Sequence, residues 1–259
     1  MTTKRHAFTL IELLVVIAIL ALLMSILMPS LHRVKKQARA VACLANLKQW
    51  SYIWHMYTED SGGKYNTGGS TGGDAANDWP VVLMSYYRDR GALTLCPATL
   101  RQIVAGGDFA TLAWSWDRQG WGNLKQKETV DVGSYGENEW ICDRKAPEYW
   151  RNRNTIKDPA MVPLFFDCAY LDVFPNAASG PPMIEGDVTG LNEWVLVCLN
   201  RHMGYVNYLF ADLSMRKVGL KELWTFKWTR TFDTANAWTK AGGVQPDNWP
   251  AWMRGFKDY

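Results

Sequence analysis

The sequence predicts an α+β protein, in which one long N-terminal α-helix packs on an antiparallel β-sheet head with loop-rich insertions. An unbroken apolar run from Phe8 to Met28 leads into an amphipathic stretch that stops near Ser61-Gly62-Gly63. Residues 205–210, YVNYLF, alternate in the way that is typical of a half-buried strand. We therefore expect a long helix over 8–61 and a globular head over 62–259.

The apolar run has the length of a membrane-spanning helix. At about 1.5 Å per residue, residues 8–28 reach roughly 30 Å, which is the hydrocarbon thickness of a bilayer. The run is longer than the apolar core of a secretory signal peptide, about 7–15 residues, and no small-residue cleavage site follows it. We expect a transmembrane helix over 8–28, preceded by a short basic leader over 1–7.

The second half of the helix is expected to carry the head. Past Pro29, apolar residues recur at three- and four-residue steps, as at Leu31, Val34 and Ala38, which predicts an amphipathic helix. The segment 61–78 is rich in Gly, Ser, Asn and Asp and therefore predicts a loop. It lacks the Gly-Lys-Ser/Thr ending of a phosphate-binding loop.

The head is expected to contain short elements separated by Gly- and Pro-rich loops. Apolar or alternating runs predict strands over 93–96, 108–116, 162–167, 193–199, 205–211 and 215–218. Short helices are expected over 79–90 and 220–228. Residues 98–160 contain few clear patterns, and we expect them to form an insertion.

Residues 7–12, AFTLIE, followed by the apolar helix, resemble the class III signal of type IV prepilins and type II secretion pseudopilins. The resemblance implies that a prepilin peptidase cuts between Ala7 and Phe8 and that Phe8 is then N-methylated. Glu12 becomes the fifth mature residue, which in that family meets the terminal amine of a neighbouring subunit. The family usually has Gly before the cut, where this chain has Ala7, and Pro29 matches a family proline.

The resemblance implies a structural filament subunit and not an enzyme. Its partners would be the prepilin peptidase/methylase, the inner membrane and other pilin-like subunits in a homopolymer. The head would lie in the periplasm, or outside the cell after assembly into a type IV pilus-like or type II secretion pseudopilus filament. A simple count of positive charges favours the opposite orientation, because four basic residues follow the run and two precede it. The family insertion route is expected to outweigh this bias.

Glu12 has two interpretations. A carboxylate inside hydrocarbon costs several kcal/mol unless a positive charge lies beside it. Glu12 would therefore set the register of subunit packing, since only one arrangement brings an ammonium to it. Alternatively, the side chain snorkels to the interface near the start of the helix.

The composition leaves a second class of function open. The chain has 14 Trp, all after position 49, and Trp rings fill cores but also form sugar-stacking platforms and protein interfaces. The alternative is thus a membrane-anchored glycan-binding module, in which exposed Trp residues of the tail form the binding face. A net charge of +3 argues neither for nor against a nucleic-acid partner, and we expect none. A third class, an anchored hydrolase, is disfavoured because the head contains no recognised catalytic motif.

Five cysteines without a C-x-x-C pair argue against zinc fingers and thioredoxin-like redox sites. The segments CLANLKQW around Cys43 and LTLCPAT around Cys96 resemble two motifs that occur together in environmental pilin-like proteins. That resemblance implies a disulfide between Cys43 and Cys96, which would fasten the head to the helix. An odd cysteine count leaves at least one thiol free or paired between chains.

His202, nine intervening residues and Asp212 resemble the His-x9-Asp-Gly motif of large pseudopilin-like families, although Leu213 stands where Gly is usual. We expect Asp212 to cap a turn and His202 to form a hydrogen bond at the start of a strand. The neighbouring Ser214 lacks the context of a catalytic nucleophile.

A calcium site is the other candidate, because some major pseudopilins bind Ca²⁺ in a loop near the sheet. The loop IEGDVTGLNE would offer Glu185, Asp187, Asn192 and Glu193 as oxygen ligands. The spacing is not that of an EF-hand, and solvated loop acids remain the simpler interpretation.

Overall fold

The computed structural model describes residues 10–69, 75–87, 93–99, 114–117, 130–186 and 192–259. The predicted leader and its cleavage junction, Ala7 and Phe8, lie outside the described residues. The chain divides into two compact units, one ending at Ala38 and the other spanning Arg39–Tyr259.

The predicted long helix is confirmed. Helix α1 runs over Leu10–Asp60 and contains Pro29. It ends where Gly62 and Gly63 adopt positive φ angles of 64° and 85°, a backbone region that favours glycine. The amide of Gly63 donates a hydrogen bond to the carbonyl of Thr58 at 2.6 Å, which satisfies one of the last carbonyls of the helix.

The head contains a mostly antiparallel five-stranded sheet and a separate two-stranded ribbon. The ribbon pairs β1 (Trp114–Asp117) with β2 (Val130–Gly133). The sheet contains β3 (Tyr135–Asn138), β4 (Pro163–Asp167), β5 (Asp172–Val173), β6 (Tyr205–Phe210) and β7 (Met215–Gly219). Its order is β5-β3-β4-β6-β7, and only the β3–β5 pair is parallel. The α+β prediction is therefore confirmed.

Short helices complete the head. The predicted helix over 79–90 is divided into α2 (Trp79–Val82) and α3 (Met84–Tyr87). The predicted helix over 220–228 is a 3₁₀-helix over Leu220–Thr225. The strand predicted over 108–116 is described only from Trp114, in β1.

Two strand predictions are wrong. Residues 193–199 form helix α4 (Trp194–Val197), since a short buried apolar run fits a helix as well as a strand. Residues 93–96 form a turn and a bend without strand pairing, and in the turn that follows the amide of Thr99 donates to the carbonyl of Cys96 at 2.9 Å. The segment is held by a backbone hydrogen bond from the amide of Ser134 to the carbonyl of Thr94 and by side-chain hydrogen bonds, such as Thr94 Oγ1 to the carbonyl of Val132.

The core covers both faces of the sheet, because neighbouring strand residues point to opposite sides. On one face, Trp50 and Trp54 of α1 pack on Phe165 of β4, with ring centroids 4.9 and 6.1 Å apart. On the other face, Phe166 packs on Tyr208 of β6 at 4.5 Å, within a cluster that contains most of the tail tryptophans. The second half of α1 thus docks on the sheet, but through Cys43, Leu47, Trp50 and Trp54. The predicted apolar stripe of Leu31, Val34 and Ala38 is exposed in the single chain, so that part of the amphipathic prediction is wrong.

Candidate functional site

The first half of α1 presents an apolar surface. Every residue from Leu10 to Arg39 is exposed in the single chain, including large side chains such as Ile11, Leu22 and Ile26. Glu12 lies in the first described turn of this helix. By length and composition, α1 alone among the described helices is able to cross a membrane.

The sequence over this helix matches a known family model. The model, described as the prokaryotic N-terminal methylation motif, matches residues 2–28. Over these residues the chain is therefore pilin-like, because it carries the prepilin-type signal of type IV pilins and pseudopilins. The motif implies a prepilin-like subunit that is processed by a prepilin peptidase and is membrane-anchored or secreted. Proteins of this kind are typically structural subunits without enzymatic activity. No match was found among curated proteins or among solved structures.

The head of this pilin-like protein contains a buried polar cluster centred on Asp167, the last residue of β4. Its carboxylate accepts hydrogen bonds from His202 Nε2 at 3.1 Å, from the amide of Asn207 at 3.1 Å and from Arg201 Nη1 at 3.4 Å. Burial alone would raise the pKa of Asp167, but the hydrogen bond from His202 and the charges of His202 and Arg201 lower it to about 2.

The pKa of His202 is shifted in the opposite direction from that of Asp167. Burial alone would lower its pKa, but the hydrogen bonds to Asp167 and Cys96 and the charge of Asp167 raise it to about 9. His202 Nε2 lies 3.5 Å from Cys96 Sγ, and Cys43 Sγ lies 3.5 Å from both carboxylate oxygens of Asp167. The cluster thus joins α1, a turn, a strand end and the loop before β6.

The structure brings the two cysteines of the expected disulfide together but shows both as free thiols. The Cys43 and Cys96 sulfur atoms lie within 4.8 Å of each other, and both side chains are buried. A bond between them stays a prediction.

The structure does not bring His202 and Asp212 together in one site. His202 belongs to the buried cluster, whereas Asp212 Oδ1 accepts hydrogen bonds from the amide and hydroxyl of Ser214 in the exposed β6–β7 turn. Leu213 adopts a φ of 66°, the conformation that glycine favours. The turn therefore keeps this geometry although leucine replaces the usual glycine.

The described part of the expected calcium loop does not form a ligand cluster. Glu193 Oε2 accepts from the amide of Phe174, Asn192 Nδ2 donates to the carbonyl of Gly180, and Glu185 Oε1 accepts from Asn200. Asp187 lies outside the described residues. The three described side chains are thus each engaged with a different part of the head.

The described tryptophan side chains are buried or half-buried. Trp224, Trp228 and Trp249 of the tail are fully buried, and Trp238 and Trp252 are half-buried. Trp194 stacks on Trp224 with ring centroids 4.1 Å apart. Within the described residues, the tail therefore packs most of its tryptophan rings into the core.

A second buried polar cluster was not predicted from the sequence. The carboxylates of Glu137 and Glu139 are buried with the thiol of Cys142, and one ligand atom of each lies within 4.8 Å of the others. Arg144 pairs with Glu139, and Asn66 Nδ2 donates to Glu137 Oε1 at 2.9 Å. The alternation of Glu137 and Glu139 at the end of β3 is the only sequence signal for this cluster.

The acidic cluster raises the pKa of its members. Burial is the largest cause for Glu137, and the charges of Glu139, Asp172 and Asp78 raise its pKa further, well above the ordinary value. Burial raises the pKa of Glu139 to about 7, although Arg144 opposes this shift. Glu137 Oε2 and Glu139 Oε2 are buried without a hydrogen-bond partner among the described residues.

Replacing Glu137 by glutamine is expected to stabilise the head at pH 8 but not at pH 5. When the pKa of a carboxyl group is higher in the folded chain than in the unfolded chain, about 4.5, the group stabilises the fold at pH values below 4.5. This stabilisation is lost as the pH rises through the pKa of the folded chain. The free energy of unfolding of Glu137→Gln should exceed that of the wild type by about 1–3 kcal/mol at pH 8 and equal it near pH 5. Urea unfolding of the full chain in detergent, with a chelator present to remove cations, measures both values.

The matched control is Glu148→Gln, which alters a half-exposed carboxylate of the same region. Its unfolding free energy should stay within about 0.5 kcal/mol of the wild type at both pH values. A Glu137→Gln variant that is less stable than the wild type at pH 8 would show that the buried carboxylate is charged and stabilising there.

Proposed function

We propose that this pilin-like protein is a structural subunit of a type IV pilus-like or type II secretion pseudopilus filament. In this proposal it is cut after Ala7, methylated at Phe8 and assembled through α1. The observation that carries the proposal is the methylation-motif match over residues 2–28, which includes Glu12 at the fifth position after the expected cut.

The exposed surface of α1 supports an assembly role. Large apolar side chains face solvent all around residues 10–31 of the single chain, for example Leu10 at 80 % exposure. A soluble monomer rarely leaves a contiguous apolar surface of this size uncovered. A bilayer covers it before assembly, and the helices of neighbouring subunits cover it in a filament core.

The domain boundaries follow from this proposal. Residues 1–7 are the cytoplasmic leader, residues 8–28 cross the inner membrane, and residues 62–259 form the periplasmic or extracellular head. The partners are the prepilin peptidase/methylase and further copies of the subunit. Pseudopilus and surface pilus share this architecture, so both remain within the proposal.

The residue before the cut gives a direct test of processing. We expect Ala7→Gly to be cleaved at least as fast as the wild type, and Ala7→Leu to be cleaved roughly tenfold or more slowly, because a steric clash of a few methylene groups costs a protease at least this factor. Co-expression with a prepilin peptidase, followed by mass spectrometry of the membrane fraction, measures the cut fraction against time.

Thr3→Leu serves as the control, because it adds a similar side chain to the leader away from the junction. Its cleavage should match the wild type. Equal cleavage of Ala7→Leu and the wild type would show that the peptidase does not cut at this bond.

A further inference from the structure

Four potential metal ligands converge in the head from four separate elements. Cys43 lies on α1, Cys96 in the turn before Pro97, Asp167 at the end of β4 and His202 in the loop before β6. One ligand atom of each residue lies within 4.8 Å of the others, and all four residues are at most 1 % exposed. The convergence lies entirely within the unit Arg39–Tyr259.

Three of the distances between these atoms match those between the corners of a zinc tetrahedron. With Zn–S of about 2.3 Å and Zn–N and Zn–O of about 2.0–2.1 Å, sulfur lies about 3.5 Å from nitrogen or oxygen, and nitrogen about 3.3 Å from oxygen. Cys43 Sγ lies 3.5 Å from Asp167 Oδ2, and Cys96 Sγ lies 3.5 Å from His202 Nε2. The distance between His202 Nε2 and Asp167 Oδ2 is 3.1 Å.

We propose that Cys43, Cys96, Asp167 and His202 bind one Zn²⁺ ion. Two sulfur ligands, one imidazole and one carboxylate suit zinc better than calcium or magnesium, which prefer oxygen ligands alone. With four protein ligands, the coordination sphere is closed, and the site is therefore structural and not catalytic.

The charges around the tetrad balance when zinc is bound. Two thiolates and one carboxylate carry three negative charges, and Zn²⁺ supplies two positive charges. The third comes from Arg201, whose Nη1 lies 3.4 Å from Asp167 Oδ1 with both side chains fully buried. Arg201 also donates to the carbonyls of Ser134 and Cys168, which hold it in place. A buried site with no net charge avoids the cost of an isolated charge in the core.

Hydrogen bonds to the two sulfur atoms fit the thiolate form. The hydroxyl of Tyr135 donates to Cys43 Sγ at 3.3 Å, and the amide of Ala98 donates to Cys96 Sγ at 3.5 Å. The amide of Asn207 donates to Asp167 Oδ2 at 3.1 Å, which orients the carboxylate. Such outer hydrogen bonds orient metal ligands and are a usual part of zinc sites.

Zinc binding would fasten α1 to the sheet. The ligands of a structural site bring distant parts of the chain together, and the energy of metal binding then contributes to folding. This zinc site excludes the Cys43–Cys96 disulfide, because zinc needs both thiolates. The two alternatives therefore predict different masses and different metal contents.

The first test is elemental analysis of the full chain, extracted from membranes in detergent without added chelator or reductant. We expect about one zinc per chain for the wild type and for Cys198→Ser, which removes a buried thiol outside the tetrad. Cys96→Ser and His202→Ala should lose most of the zinc. Alkylation should modify Cys43 and Cys96 only after chelation.

A second measurement uses the wild-type chain, so that the proposal can be tested even if the variants fail to fold. Wild-type chain in which Co²⁺ replaces zinc should show the sulfur-to-cobalt charge-transfer band and the intense visible bands of tetrahedral coordination. A wild-type chain that contains no zinc overturns the proposal. This holds if its mass is lower by two hydrogens, which indicates a Cys43–Cys96 disulfide, and it holds equally if both thiols are free. Wild-type zinc content in Cys96→Ser overturns it as well.

Discussion

Replacing Glu12 by alanine is expected to abolish most filament assembly while leaving cleavage of the leader unchanged. In the proposed filament, the carboxylate of Glu12 meets the terminal ammonium of a neighbouring Phe8 within a low-dielectric helix core. Removing the carboxylate leaves that ammonium without its partner, which costs about 2–4 kcal/mol at each subunit contact. Since every 1.4 kcal/mol is a factor of ten in an equilibrium constant, assembly should fall by roughly 30-fold or more.

The assembled fraction is measured by shearing filaments from cells, or by sedimenting them from purified membranes, and quantifying the mature chain. Leu13→Ala is the matched control, because it truncates an adjacent apolar side chain of the same helix without removing a charge. It should assemble to within a few-fold of the wild type. Wild-type yield from Glu12→Ala would favour the interpretation in which this side chain simply snorkels to the interface.

Replacing Trp50 by alanine is expected to destabilise the head by about 3–5 kcal/mol, the usual cost of removing a buried Trp side chain. Trp50 is 0 % exposed, and its ring lies 5.1 Å from that of Trp79 and 4.9 Å from that of Phe165. Its Nε1 donates to the carbonyl of Leu93 at 3.0 Å, which would lose that donor. Urea unfolding of the full chain in detergent, followed by circular dichroism, measures the loss.

Tyr52→Ala is the control, because Tyr52 lies two residues away on α1 and is 56 % exposed. Its unfolding free energy should change by less than about 1 kcal/mol. Similar losses of unfolding free energy in Trp50→Ala and Tyr52→Ala would mean that the docked face of α1 is not the one that contains Trp50.

Patterns within single segments predicted much of this fold. A long helix, the β6–β7 hairpin and β4 each carry a clear local signal: unbroken apolar length, alternation, and a short apolar run before a polar residue. Residues 193–199 carry an ambiguous signal, because a buried helical turn and a buried strand are equally apolar. Only packing decides between them, and the amide of Ala169 donates to the carbonyl of Leu196 in the helical arrangement.

The buried polar clusters were beyond local prediction for a different reason. Cys43, Cys96 and His202 each stood out in the sequence, but their meeting at Asp167 depends on where α1 docks on the sheet. Asp167 itself was only the polar end of a predicted strand. The acidic cluster lies within one short segment, but its surroundings depend on the fold in the same way, since Asn66 donates to Glu137 and the parallel pairing of β3 and β5 sets Asp172 opposite Glu137. Contacts between distant segments are a property of the fold and leave little trace in any one segment.

The most direct test of filament-subunit processing is the intact mass and N-terminal residue of the chain recovered from membranes of cells with an active prepilin peptidase. We predict a chain that starts at N-methylated Phe8 and lacks residues 1–7. A chain that still starts at Met1 in those cells would contradict the account, because an uncut leader leaves no free amine at Phe8 for Glu12 of a neighbouring subunit.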